Sequence, residues 1–299
     1  MIAETKPAVV AIGGGRGLSA TLSAAKPHAS RLTGIVASAD DSGSTGRLRR
    51  GLNISAPGDI RRCLTAMSDR RSDALARAFE YRFEGSDVEG HALGNLVIAA
   101  FSAGSSDFSV AINQVSALLG IDPNVGRLYS ATERPSTLAA ITREGRRVTG
   151  QYAISQTQGV ERVWLEPSVS RAPAAAVEAI RTAQHVLIGP GSLFTSVLAA
   201  VLAPGISEAL EDTTARCTYI CNTSSSEPET LGYSVNMHIE RLAAHGLNVD
   251  VALVASDGLI AQTGVMAGVP AIHASLCGEG GESHDAQKFT QALKSILLK

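Results

Sequence analysis

The strongest constraint on the fold is a pattern that occurs twice: a short apolar run, a glycine-rich turn and a helix-forming stretch. Residues 8–12 (AVVAI) read as a buried strand, GGGRG follows, and LSATLSAAK reads as a helix before a second strand at 32–38 (LTGIVAS). Strand, tight turn, helix and strand in that order make a βαβ unit, and such units build parallel sheets. The pattern returns at 185–188 (HVLI), with GPGSLFT as the turn and SVLAAVL as the helix. Further strands are expected at 217–221, 250–255 and near 270, with an amphipathic helix, AQKFTQALKSILL, at the end. The expected fold is therefore α/β: a Rossmann-like three-layer sandwich with a mostly parallel sheet of six or more strands. Residues 137–166 break the pattern, with alternating runs around a Glu-Gly turn. They predict a small β-hairpin insertion, within 136–168, on the sheet edge or opening a subdomain. No Ser/Pro linker or internal repeat divides the 299 residues, so a single domain over 1–299 is expected.

Ligands of open parallel sheets bind at the carboxyl ends of the strands. Both glycine-rich turns fall there, each ahead of a helix N-terminus whose free N–H groups suit an anion. Gly15, Gly17 and Ala20 fit the dinucleotide pattern G-x-G-x-x-A loosely. Three consecutive glycines equally fit any tight turn that lets a phosphate approach the backbone, or a purely structural turn. A third polar stretch, 38–62, carries three acids and five arginines among small residues and can form no hydrophobic core. It is expected to line a charged-ligand site, with 42–56 as a loop. Arginine forks suit phosphate and carboxylate. Asp40 and Asp41 lie at a strand end, where one could meet a ribose or hold Mg²⁺ between phosphates while the other orients the loop. Asp59 is expected to cap its own helix at 57–68, and another helix is expected at 72–83. His91 and Asn95, four apart on an expected helix at 90–101, would share a face.

Composition excludes several classes. The net charge is −2 and aromatics are 4 %, which leaves no general attraction to nucleic acid and few rings for base stacking. No apolar run approaches the ~20 residues of a membrane helix, and the run at 8–12 is too short for a signal-peptide core. The four cysteines form no CxxC pair and are expected to be isolated buried thiols of a cytoplasmic protein. No metal motif appears. The scattered histidines, His91, His238 and His284 among them, read as structural.

Taken in order, IGGGRGLSATL, ASADDSGSTGRLRR, APGDIRRCLTAMS, GHALGNLVIAA and IGPGSLFTSVLAAVL resemble the YvcK-type gluconeogenesis factors of bacteria, over almost the whole chain. More distantly they resemble the 2-phospho-L-lactate transferase that builds a deazaflavin coenzyme. The resemblance implies a cytoplasmic regulator that binds UDP-sugars such as UDP-N-acetylglucosamine and is required for cell shape and wall synthesis during gluconeogenic growth. It leaves open a regulatory protein partner and a homodimer. The alternative it implies is a transferase using a nucleotide donor and magnesium. Carried over by motif, the pocket would be formed by Gly13, Gly14, Gly15, Gly17, Asp40, Asp41, Ser44, Arg47, Asn95, Gly189, Gly191, Ser192, Thr195 and Asn222. Phosphates would sit on the two glycine-rich turns. Two places depart from the family. Its TQPGET-like loop is here Ser225-Ser226-Glu227-Pro228-Glu229-Thr230, and its Arg-His-Asp before the last helix is Ser283-His284-Asp285. If that arginine meets the diphosphate, Ser283 removes a charge-assisted contact worth about 1.5–3 kcal/mol.

Overall fold

A computed structural model describes residues 5–69, 73–105, 107–262 and 268–298. Ten strands are formed: β1 (Ala8–Gly13), β2 (Arg31–Val36), β3 (Gly126–Ser130), β4 (Thr137–Thr142), β5 (Arg147–Thr149), β6 (Val160–Glu166), β7 (His185–Ile188), β8 (Arg216–Ile220), β9 (Val251–Ala255) and β10 (Ala271–Ala274). Seven of them make one sheet in the order β10-β9-β8-β7-β1-β2-β3. Every pairing in it is parallel. The order runs outward from β1 in one direction and from β7 in the other, so the crossover reverses between these two neighbours. That reversal is the topological switch point at which open α/β sheets bind ligands.

Side-chain alternation along β1 explains the layers. Val9 and Ala11 join an apolar cluster on one face of the sheet, with Leu18, Leu22, Ile60, Leu64 and Phe289 from the covering helices. Val10 and Ile12 point the other way, into a cluster with Phe194, Val197, Ile206 and Ile239. A strand buried on both faces must be apolar at consecutive positions, which is why AVVAI reads as a continuous run.

The insertion is larger and better packed than a hairpin on the sheet edge. β4 pairs antiparallel with β5 and, along its other side, with β6. Leu138, Ala140, Val148, Val163 and Leu165 of this small sheet bury into the same cluster as Val10 and Ile12, so it covers a face of the main sheet.

Most expected helices form within two or three residues of their predicted ends. The helix expected at 72–83 is seen as Ala74–Glu80, and residue 72 lies outside the described residues. Two local expectations change. The polar stretch after β2 contains a helix, Gly43–Leu52, where a loop was expected. The helix expected at 90–101 is Leu93–Ala103, so His91 precedes it. All four cysteines are buried and free. Among the described residues no single helix is long and apolar enough to cross a membrane.

Candidate functional site

Because β1 and β7 are paired with Ile12 beside Ile188, the two glycine-rich turns leave the sheet side by side. The Gly189 N–H donates to the Ile12 carbonyl at 2.9 Å, and the Thr21 hydroxyl donates to the Gly189 carbonyl at 2.9 Å. A Cβ on Gly17 would stand 2.0 Å from the Pro190 carbonyl oxygen, so only glycine permits this approach. Asn222, just past β8, accepts the Gly191 N–H at 2.9 Å and fixes the second turn. Between the turns and the loops after β8 and β10 lies an open groove of about 450 Å³. Gly17, Gly191 and Asn222 line it, with Arg16, Glu227, Glu282, Ser283 and His284. The two segments that depart from the resembled family thus form its outer wall. Burial pushes the His284 imidazole down to about 4, partly offset by Asp257. It is therefore neutral at physiological pH, and its buried Nε2 has no protein partner.

The helix N-termini behind both turns already hold carboxylates. Asp59 does not cap its own helix, Pro57–Met67, where Ala56 stands at the cap. Its Oδ2 accepts the N–H of Gly15, first residue of the helix Gly15–Ala25, at 2.6 Å, and its Oδ1 accepts from Arg62 at 2.8 Å. Asp59 is 4 % exposed, and burial followed by the charge of Asp40 raises its carboxyl above the usual range. At the second turn, Oε1 of the buried Glu229 accepts the Phe194 N–H at 3.0 Å. The segment Leu193–Leu198 has π-helical geometry, with the Val197 N–H reaching back to Ser192 at 3.0 Å. Local widening of this kind frequently accompanies functional sites. An amide group of the turn expected to cradle phosphate, that of Phe194 between Ser192 and Thr195, therefore faces a carboxylate of the chain itself.

Burial raises the Glu229 carboxyl from 4.5 to about 7, and its Oε2 is buried without a partner. The folded protein thus holds a proton that the unfolded chain releases. The stability from this group is complete below pH 4.5 and is lost as pH rises through 7. Chemical denaturation at pH 5 and pH 8 should show lower stability at pH 8, and Glu229→Gln should flatten that slope. An unchanged slope would remove Glu229 as its source.

The residues of the 38–62 stretch divide between several tasks. Asp40 accepts both the N–H and the hydroxyl of Ser42, at 3.0 and 2.7 Å. Asp41 accepts the Tyr152 N–H at 2.9 Å and so ties the inserted sheet to the site. Arg49 donates to the carbonyls of Ala39 and Asp40, at 2.7 and 3.0 Å. Arg47 reaches the Glu89 carbonyl and borders neither the groove nor the cavity described next. Ser44 joins Asn95 to His91: the Asn95 amide donates to its hydroxyl at 3.0 Å, and that hydroxyl meets His91 Nδ1 at 2.9 Å. Burial, then Arg47 and Arg82, lower the His91 pKa, which favours a neutral ring accepting from Ser44. Asp40, Ser44 and Asn95 border a second, smaller cavity of about 140 Å³, apart from the groove.

A metal fits these residues poorly. Both Asp59 oxygens and one Asp40 oxygen are engaged by internal donors. Among the described residues no group of three or more His, Cys, Asp or Glu side chains is placed to hold an ion.

Sequence reasoning missed the part played by Glu229 and Asp59, and Arg82 altogether. Glu229, in a polar loop beside Pro228 and Glu227, gave no sign of burial. The acid in PGDIRR looked like a local cap because its actual partner is 44 residues upstream.

A parallel seven-stranded sheet with two glycine-rich turns meeting at its switch point defines a Rossmann-like α/β protein. Residues 9–274 match the family model described as 2-phospho-L-lactate transferase CofD, and the chain belongs to that family, in its YvcK-like part. It is similar to the gluconeogenesis factor of Halalkalibacterium halodurans, 40 % identical over 80 % of this chain and 74 % of the relative. It is 38 % identical to the gluconeogenesis factor of Bacillus subtilis over 85 % of this chain and 80 % of the relative. Against a longer relative from Deinococcus radiodurans, the match spans 50 % of that protein. A crystal structure of a Bacillus halodurans protein of the UPF0052 family superposes with a TM-score of 0.88, at 35 % identity, covering 97 % of this chain and 99 % of that one.

Proposed function

We propose that this chain is a cytoplasmic regulatory protein, a gluconeogenesis factor that binds a UDP-sugar in the groove between its two glycine-rich turns. The observation that carries the reading is the groove itself, which lies at the switch point and is bordered by groups suited to each part of such a ligand. Arg16 is exposed and free to meet a diphosphate. Glu227 and Glu282 can accept ribose or sugar hydroxyls, as an acid does beside the ribose in related folds. Neutral His284 and Asn222 add directional hydrogen bonds. The names of the relatives support the gluconeogenic role; a link to cell shape and wall synthesis on gluconeogenic carbon is the further part of this proposal. Bound ligand would bridge the loops after β8 and β10 and so present a changed surface to a protein partner or a second copy.

The family match is consistent with a second reading, a 2-phospho-L-lactate transferase-like enzyme; a nucleotide donor and magnesium are what that reading supposes. Thermal unfolding with UDP-N-acetylglucosamine, GDP with Mg²⁺ and NAD in parallel separates the two. A ligand at 100 times its dissociation constant should stabilise by about 2.7 kcal/mol. The expected result is a shift with the UDP-sugar that Arg16→Gln weakens ~10-fold or more, by loss of a charge-assisted contact. No UDP-sugar shift beside a magnesium-dependent GDP shift would overturn the regulator reading.

A further inference from the structure

Three helices begin at glycine-containing turns near the carboxyl ends of β1, β2 and β7. Two of these N-termini are filled by Asp59 and Glu229. The third, opening the ten-residue helix Gly43–Leu52, has no side-chain cap. Ser42 stands at the cap position but its hydroxyl is turned to Asp40. The first-turn residues Gly43, Ser44 and Thr45 instead border the cavity of about 140 Å³.

Three arginines border the same cavity, Arg61, Arg62 and Arg82, against one bordering carboxylate, Asp40. Arg61 is 2 % exposed. Its guanidinium makes two long contacts, 3.2 Å to Glu80 and 3.2 Å to Asn95. A buried guanidinium carries five donors and is costly to bury without a matching charge. The Glu80 side chain is 43 % exposed, so water weakens that pairing. Burial lowers the Arg61 pKa and the neighbouring Arg62 and Arg82 lower it further, with only Glu80 opposing. Arg61 is paired with Glu80 and Arg62 with Asp59, whereas Arg82 meets only the Gly90 carbonyl among the described residues, so its guanidinium has no carboxylate partner of its own.

We propose that this cavity is a second ligand site, which takes one phosphoryl group, either inorganic phosphate or the phosphate end of a small monoester. Its volume equals about five waters, room for a tetrahedral oxyanion and too small for a nucleotide. Arginine forks bind phosphate oxygens in pairs. The helix N-terminus adds N–H groups and a favourable dipole. Thr45 and Ser44 supply hydroxyls beside it. The inference does not rest on the nucleotide-sugar reading, because the groove is built from other residues. What it implies is a protein able to sense a phosphorylated small molecule or phosphate together with its groove ligand.

The test is thermal unfolding and calorimetric titration of the full chain with sodium phosphate and, separately, glycerol phosphate. Sodium chloride at matched ionic strength is the reference. Saturable stabilisation by either probe is expected, and the tighter one identifies the source. Arg61→Gln is an unsuitable sole variant because the residue is buried. Arg82→Gln and Arg62→Gln, at exposed and half-buried positions, should each weaken binding ~10-fold or more, judged against each variant's own unliganded midpoint. Arg16→Gln should leave phosphate binding unchanged while weakening the UDP-sugar, so the two readings fail separately. No saturable effect beyond chloride would overturn the proposal, and so would a phosphate effect that survives in both arginine variants.

Discussion

Gly17→Ala should unfold about 5 °C below the parent protein and bind its groove ligand at least tenfold more weakly. The added Cβ would lie 2.0 Å from the Pro190 carbonyl oxygen, 2.6 Å from its carbon and 3.2 Å from the Gly191 nitrogen. These are backbone atoms, and they cannot rotate away as a side chain would. The turn that carries them is held by Thr21 on Gly189 and by Asn222 on Gly191. Relief therefore requires the two glycine-rich turns to separate, which opens the groove and strains β7 against β1. Overpacking of this kind costs about 3 kcal/mol, and a chain of this size loses roughly 5 °C for that amount. Alanine is otherwise the better helix former by ~1 kcal/mol, so the sign of the effect tests the contact. Gly51→Ala is the control. It also lies in a helix, but its Cβ would meet nothing within 4 Å. That variant should be neutral or slightly stabilised. Equal midpoints for the two variants, by thermal unfolding, would mean that the turns do not meet as described.

The same contact shows why the fold was legible in the sequence. A strand buried on both faces must be apolar at consecutive positions, and a turn that meets another backbone must be glycine. Both demands are local, so AVVAI-GGGRG and HVLI-GPGS declare themselves. The inserted sheet was half legible. Alternation around Glu144-Gly145 identified the β4–β5 pair, but β6 joins from the far side of β4, and its packing beneath Val10 and Ile12 leaves no local mark. Gly43–Leu52 was misjudged for another reason. Its composition is polar, with three glycines and three arginines, and its order comes from tertiary clamps. Gly46 lets the helix settle against the Asp41 carbonyl, where a Cβ would lie at 1.8 Å, and Arg49 grips the carbonyls of Ala39 and Asp40.

The site was legible as a set of residues and illegible as a circuit. Gly17, Gly191 and Asn222 border the groove, and Asp40, Ser44 and Asn95 border the smaller cavity, so one expected pocket divides into two. Sequence spacing cannot separate an N–H that awaits a phosphate from one already bonded to a carboxylate. Gly15 is joined to Asp59 over 44 positions and Phe194 to Glu229 over 35. Filling these N-termini with fixed acids makes the turns rigid, and leaves the anion-binding capacity of the region to the arginines. Arg16 borders the groove; Arg61, Arg62 and Arg82 border the cavity.

Asp59 is where these two halves meet, and its replacement should move stability and binding in opposite directions. Asp59→Ala leaves the Gly15 N–H without its acceptor and Arg62 without its carboxylate, at a site 4 % exposed. Removing one member of a buried pair costs about 3–5 kcal/mol. The cost here should fall at the lower end, about 3 kcal/mol, because Arg62 is 37 % exposed and can turn to water. Burial and Asp40 also disfavour the charged Asp59, which offsets part of what its hydrogen bonds contribute. Asp59→Asn keeps an acceptor for Gly15 and should lose roughly half as much. In both variants a negative charge between groove and cavity disappears, and Arg62 is released toward the cavity. Phosphate affinity should therefore rise several-fold while the unfolding midpoint falls, read in one set of denaturation curves with and without phosphate. If affinity falls along with stability, Asp59 is holding the anion site together and is not competing with its ligand.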